Sequence, residues 1–344
     1  MSNPANDLNL SPPPGDPPIF IYGSIYGGST LDGTTGFDII TAYGYNNTIT
    51  DTKGEAIIYA GDGNATVHLG NFDAVVHLMG YNDVVTGGRG DDAVVGSSGN
   101  ASITLTNGND YISVGGYNNL ISLGNGDDLV NAGLGNATVK VGGGDDTIFI
   151  AGYSNHVTGA GGNDHVFGLD SGNDFVTLGN GNDQVKLGGF SNQISLGDGN
   201  DYVVAGSGSD TVVAGKGNDT VLLAGWSNSV TLGAGAHDYV GAGLGNDTIT
   251  LNGSHAVLAL GGAQNEHINI GSSFDIAVIT GFTNSDVIDL LNGSGEYSSV
   301  GQVLGALGTD HHGGTLLSLG HNKGAIDFVG VAPSNLSASN FAIG

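Results

Sequence analysis

The chain has 344 residues, 65 of them Gly and none Cys, with a formal charge of −27 from 6 Lys+Arg against 33 Asp+Glu. A hydrophobic share of 39% is too high for an acidic disordered tail, while the charge disfavours nucleic acid and anionic membranes and favours multivalent cations. No run approaches 18 apolar residues, so no membrane-spanning helix is expected, and the lack of Cys suits a secreted protein made rigid by something other than disulfides.

Residues 1–32 read as a Pro-rich N-terminal arm. Met1 to Leu10 has no basic stretch followed by an apolar one, so it is not read as a Sec-type signal peptide. Ser11 to Pro18 is stiff and extended, and Ile19 to Tyr22 is a short apolar run, either a cap strand or an arm that docks elsewhere.

From residue 33 to 279 the chain is one array of nine-residue units, and self-similarity at a fixed period predicts a solenoid. With Asp as position 6, position 4 is mostly Gly and position 8 Val or Ile, as in Leu178 to Lys186 and Leu196 to Val204. One inward β-branched residue per short strand cannot build a core alone. Stacked at about 4.8 Å per coil, these residues form a continuous internal ladder. Two units make one coil, so the predicted fold is an all-β parallel β-roll, a β-solenoid with two nonapeptides per coil.

Nine aspartates stand in register on one edge of this roll: Asp92, Asp110, Asp128, Asp146, Asp164, Asp183, Asp201, Asp219 and Asp238, with gaps of 18 or 19 residues. Stacked carboxylates repel, so a cation belongs between them, which is an argument for calcium. Upstream, Asp38 keeps the register but Ala56 and Ala74 interrupt it. Position 6 of the opposite edge reads Asn47, Ala65, Asp83, Ala101, Asn119, Ala137, Asn155, Asp174, Asn192, Asp210, Asn228, Asp247 and Asn265. Asp174, Asp210 and Asp247 there form a second, weaker candidate cation ladder, and the Asn residues read as an uncharged hydrogen-bonding ladder. On alternate coils this edge carries an aromatic where the turn Gly belongs: Tyr45, Tyr81, Tyr117, Tyr153, Phe190 and Trp226. These rings are either turn filling or a contact edge, for glycan or for another copy of the protein.

Residues 280–344 break the period and read as a small C-terminal cap. Gly281 to Leu290 predicts a closing strand, Tyr297 to Leu307 a short helix, and Thr315 to Leu319 with Ala325 to Val329 a hairpin. His311, His312 and His321 show no zinc spacing. No nucleophile elbow, zinc-protease motif or phosphate loop is present, so the chain is not read as an enzyme. Seven Thr or Ser in Val-Thr-Leu-like strings raise ice binding as a minor alternative, but their positions do not keep strict register.

Gly87 to Val95 carries the fixed positions of Gly-Gly-x-Gly-x-Asp-x-U-x, and Asn107 to Ile112, Asn125 to Val130, Gly143 to Ile148, Asn180 to Val185, Asp198 to Val203 and Lys216 to Val221 follow it closely. The chain thereby resembles the repeats-in-toxin (RTX) family. The resemblance implies several Ca²⁺ ions between adjacent turns, held by the Asp carboxylates and by turn carbonyls, here those of Gly90, Gly108, Gly126, Gly144, Gly162, Gly181, Gly199 and Gly217. Position 1, often Leu or Ala where the family has Gly, is expected to add packing without removing a ligand. Asp286 to Leu290 and the ending Leu336 to Gly344 are similar to the uncleaved C-terminal signal of type I secretion substrates, which implies export from a Gram-negative bacterium. The resulting expectation is a secreted, cell-surface calcium-binding protein that folds on Ca²⁺ outside the cell. It then self-assembles as a surface-layer, matrix or fibre component, with polysaccharide binding or adhesion as the alternative.

Overall fold

A computed structural model describes residues 10–13, 17–96, 98–235, 237–253, 255–261, 265–272, 274–291, 296–310, 312–320 and 324–344. The chain divides into two compact units, the first ending at Leu178 and the second starting at Gly179. Both are parallel β-solenoids.

In the first unit, each nonapeptide supplies one strand of three to five residues to two sheets in alternation, and Gly152–Tyr153 and Ser171–Gly172 form a separate short pair. The first sheet runs from Ile19–Tyr22 through Tyr111–Val114 to His165–Gly168, and the second from Thr30–Asp32 to Phe175–Thr177. Neighbours within a sheet lie one coil apart, as where Ile112 pairs with Val130 and Ile103 with Ile121, all in parallel. The reason is local: β-branched residues suit the pleat, and glycines turn the chain between strands. At Gly126 the backbone has φ +146°, and a Cβ there would lie 1.8 Å from the Gly108 carbonyl oxygen one coil below. Only Gly fits that approach.

The core between the sheets is the expected ladder. Val94, Ile112, Val130, Ile148 and Val166 from one sheet face Ile49, Val67, Val85, Ile103 and Ile121 from the other, all fully buried. Burial stabilises each by about 1.5–3 kcal/mol. Leu105, Leu123 and Val141 at position 1 are buried too, so the departure from Gly adds packing, as expected. Ile19–Tyr22 is a cap strand, paired with Asp38–Thr41.

The second unit repeats the scheme from Gln184–Leu187 and Gln193–Ser195 to Ile276–Thr280 and Val287–Leu290. Its tail extends both sheets. Ala325–Val329 pairs in parallel with Ile276–Thr280 and antiparallel with Thr315–Ser318, while Phe341–Ile343 closes on Val287–Leu290. Phe328 joins these pieces by edge contacts to Phe282 and Phe341 at 5.0 and 6.2 Å. The helix is shorter than expected, Val300–Gly305, because Leu307–Thr309 is drawn into pairing with Thr315–Leu317. No helix among the described residues is long and apolar enough to cross a membrane.

One expectation needs correction. The second edge continues through Glu266, not Asn265. Glu266 accepts from the Asp247 amide at 2.9 Å, whereas Asn265 has φ +67° and belongs to the column of left-handed residues one position earlier. The Thr and Ser residues keep register only in short runs, which Val84, Leu120 and Lys140 interrupt, as expected. On the outer face of the second sheet in the first unit, Thr30, Thr48 and Thr66 align, and so do Thr86, Thr104 and Ser122.

Candidate metal centre

All nine register aspartates are buried, none more than 2% exposed. In the first unit they form one column joined by main-chain bonds. The amide of Asp92 donates to Oδ1 of Asp110 at 2.9 Å, Asp110 to Asp128 at 2.8 Å, Asp128 to Asp146 at 2.8 Å and Asp146 to Asp164 at 3.1 Å. The second unit repeats this from Asp183 to Asp201, Asp219 and Asp238 at 2.9, 3.0 and 3.0 Å. Each bond uses one carboxylate oxygen. The other, Oδ2, is buried without a hydrogen-bond partner in Asp92, Asp110, Asp128, Asp146, Asp201 and Asp219.

A buried carboxylate with an orphaned oxygen is costly, and its proton affinity rises accordingly. Burial, then the charge of Asp110, pushes Asp92 up to about 8. Burial likewise pushes Asp128 to about 8, Asp110, Asp146 and Asp201 to about 7, and Asp219 to about 6. The Lys216–Asp198 salt bridge, 3.0 Å, joins two exposed side chains and leaves the column untouched.

The opposite edge shows what such a site lacks. There Oδ1 of Asn119 accepts from the Ala101 amide at 3.0 Å, the same bond that the aspartates make. Its Nδ2 donates to the carbonyls of Gly115 and Ala132, both at 3.0 Å. Asn47, Asn155 and Asn192 likewise donate to carbonyls three or four residues back. A side-chain donor therefore points into converging carbonyls. Where the repeat puts Asp in this position, an acceptor points there, and the site calls for a proton or a cation. The asparagine ladder is hydrogen-bonded, as expected.

The turn glycines add oxygens. A Cβ on Gly108, Gly126, Gly144 or Gly162 would meet the carbonyl oxygen of Gly90, Gly108, Gly126 or Gly144 below it at 1.7–2.1 Å. In the second unit Gly199 and Gly217 lie likewise over the carbonyl oxygens of Gly181 and Gly199, at 1.6 and 1.5 Å. Among the described residues no hydrogen bond reaches the carbonyls of Gly90, Gly108, Gly126 and Gly144. Carboxylate and carbonyl oxygens without donors are a donor set for a hard cation such as Ca²⁺. No three His, Cys, Asp or Glu side chains cluster for a metal among the described residues, so a site here draws on one or two carboxylates and on main-chain oxygens.

The match to known families agrees. A family model described as the RTX calcium-binding nonapeptide repeat (4 copies) matches residues 32–67, 68–103, 105–139, 150–185, 169–194 and 187–221. The chain belongs to the RTX calcium-binding repeat family. RTX repeats bind calcium, and the several copies here imply several ions. No curated protein matches the chain.

The RTX array outruns the matched residues. Beyond 221, Asp238, Asp247 and Glu266 keep the pattern: Asp247 Oδ2 and Glu266 Oε1 are buried without partners, and burial pushes Glu266 up to about 7. Asp83 and Asp210 have the same orphaned oxygen and are pushed up to about 6 by burial. Asp174 takes its place at the second edge by accepting from the Asn155 amide at 2.8 Å. The terminal members differ. Asp38 accepts from Thr34 Oγ1 at 2.9 Å and Asp286 from the Thr283 amide at 2.7 Å, so a local hydroxyl or amide serves where the stack ends.

Sequence reasoning missed Asp51, whose buried Oδ2 has no partner and which burial pushes up to about 7, as well as Glu266 and a third ladder. Position 5 of the Asp edge is Asp or Asn on successive coils. The amide of Asp91 donates to Oδ1 of Asp73 at 2.9 Å, Asn109 to Asp91 at 2.7 Å and Asp127 to Asn109 at 2.8 Å. An Asx directly before every ladder Asp except Asp238, which follows His237, was the available signal. The aromatic edge is where it was expected. Tyr45, Tyr81, Tyr117, Tyr153, Phe190 and Trp226 are 50–63% exposed. His312 lends its amide to Asp310 at 2.7 Å, and His311 and His321 lie outside the described residues.

Proposed function

We propose that this calcium-binding protein folds on meeting Ca²⁺ outside the cell and then self-assembles as a surface-layer, matrix or fibre component. The observation that carries the first step is the column of buried carboxylates, six of which, Asp92, Asp110, Asp128, Asp146, Asp201 and Asp219, have a second oxygen without a donor. With free Ca²⁺ scarce, the ionised column disfavours the folded chain. Millimolar Ca²⁺ binds only the folded form and so becomes folding free energy. Extracellular calcium modules bind at about 10⁻⁴ to 10⁻³ M, and many such sites in one roll give a sharp response. Asp92, Asp110, Asp128, Asp146, Asp164, Asp183, Asp201, Asp219 and Asp238, with the turn carbonyls, are the residues we assign to this role. Asp174, Asp210 and Asp247 are assigned the weaker one. A Ca²⁺ titration followed by circular dichroism and by light scattering tests both steps. β structure that is complete in excess chelator sinks the first, and a folded protein that stays monomeric at high concentration sinks the second.

A second reading rests on the aromatic edge. Exposed rings recur every second coil, about 9.6 Å apart, a spacing comparable with the repeat of an extended polysaccharide. Replacing Tyr117, Tyr153, Phe190 and Trp226 with Ala removes glycan retention under this reading and leaves Ca²⁺-induced folding intact.

A further inference from the structure

We infer that the outer face of the first sheet in the first unit is the surface through which copies of this chain associate, a refinement that rests on the assembly reading above. Nine strands build this face, each presenting two outward positions, from Phe20 and Tyr22 at one end to His165 and Phe167 at the other. None of these eighteen positions is Asp, Glu, Lys or Arg, in a chain with 33 acids. Apolar and aromatic residues dominate, with Ile57, Tyr111 and Leu129 in one row and Tyr59, Val95 and Phe149 in the other. Rings pack along the rows: Tyr59 stacks on His77 at 4.8 Å and Phe149 on Phe167 at 5.4 Å. The outer face of the second sheet differs, being hydroxyl-rich and carrying Asp32 and Lys140.

The occupant follows from charge. A chain at −27 repels its own copies over the acidic edges. An uncharged, flat strip is where two copies approach without that penalty, and an identical strip on the partner supplies apolar surface, two sheets packing about 10 Å apart. Beside the strip lies a groove of about 530 Å³ lined by Val95, Ser113, Asn131, Gly133 and Leu134, again without charge, with Leu134 54% exposed. Nine strands at about 4.8 Å make a strip close to 40 Å long and one short strand wide. That is at the small end of specific interfaces, which suits association driven by concentration. In the second unit the outward positions of the sheet that holds Tyr202–Ser207 to Ile276–Thr280 are also uncharged.

The test uses the full chain with saturating Ca²⁺. Tyr59→Glu with Leu129→Glu places two charges on the face, and Tyr117→Ala with Trp226→Ala serves as the edge control. The face variant is expected to keep its Ca²⁺-induced circular dichroism and to lower the assembled fraction at least tenfold, while the control assembles as the wild type does. Because the chain has no Cys, Val95→Cys on the central strand and Thr104→Cys on the opposite sheet provide a second measurement that needs no charge in the face. Only the former should give a dimer with a short bismaleimide. Equal assembly of the face variant, or equal cross-linking by both cysteines, overturns the assignment of the face and leaves the assembly reading standing. A wild type that folds and remains monomeric overturns that reading and this one together.

Discussion

Asp128→Asn should make the metal-free protein more stable, which is the reverse of what removing a ligand usually does. Asp128 Oδ1 accepts from the Asp110 amide at 2.8 Å, and an asparagine oxygen can keep that bond. Its Oδ2 is buried without a donor, where Asn119 on the other edge presents Nδ2 to two carbonyls. By the nine-residue register, the equivalent carbonyls for residue 128 are those of Gly124 and Val141. The wild-type carboxyl is raised from 3.8 to about 8, so ionised folding at pH 7 spans about three pH units at about 1.4 kcal/mol each, roughly 4 kcal/mol. Asn removes that penalty and adds hydrogen bonds worth about 1 kcal/mol apiece. Melting curves in chelator should therefore show a gain that is near 2 kcal/mol at pH 5 and grows toward pH 7. Asp128→Ala removes the charge without supplying donors and falls below Asn. Asn119→Asp has the opposite sign, weakening the chelated protein. An Asp128→Asn variant that melts no higher than the wild type in chelator would refute the reasoning that the column lacks a donor.

Four further outcomes follow. Because folded carboxyls such as Asp92, Asp110 and Asp146 titrate at about 7 to 8, well above the unfolded value, their protons favour folding. The metal-free roll should thus hold most β structure below about pH 4 and lose it as pH rises to about 8; circular dichroism in chelator against pH checks this. Gly126→Ala, whose Cβ would meet the Gly108 carbonyl at 1.8 Å, should cost on the order of 3 kcal/mol in calcium-saturated urea melts. Gly143→Ala in the equivalent turn of the next coil has its nearest neighbour at 3.4 Å and should be close to neutral by the same assay. Lys216→Ala breaks an exposed ion pair and should change stability by less than about 1 kcal/mol.

The coil and its core were legible in the chain because a fixed period leaves little freedom: every ninth residue must repeat its role. The nine aspartates and their glycines were found for the same reason. The reading failed where an extra residue enters a coil. Nineteen residues separate Asp247 from Glu266, and Asn265 beside it imitates the smaller ladder residues. The uncharged face was invisible because positions 7 and 9 belong to one sheet or the other according to which nonapeptide of the coil carries them, which pairing reveals and composition does not. The orphaned oxygens needed coordinates altogether.

The two Asx ladders on the Asp edge run in opposite senses, one with amides giving to the coil above and the other to the coil below. Neighbouring coils are thereby latched in both directions, so a junction made by cutting and rejoining the chain at equivalent points finds its partners. Across the roll the constraint is stricter. Gly63, Gly99 and Gly135 lie against the main chain of Tyr81, Tyr117 and Tyr153, where a Cβ would come within 3.0–3.2 Å. Losing one coil sets aromatic turn on aromatic turn, whereas losing two restores the alternation. The length of such a protein should accordingly drift through ancestry or by engineering in quanta of about 36 residues, with half-steps selected against.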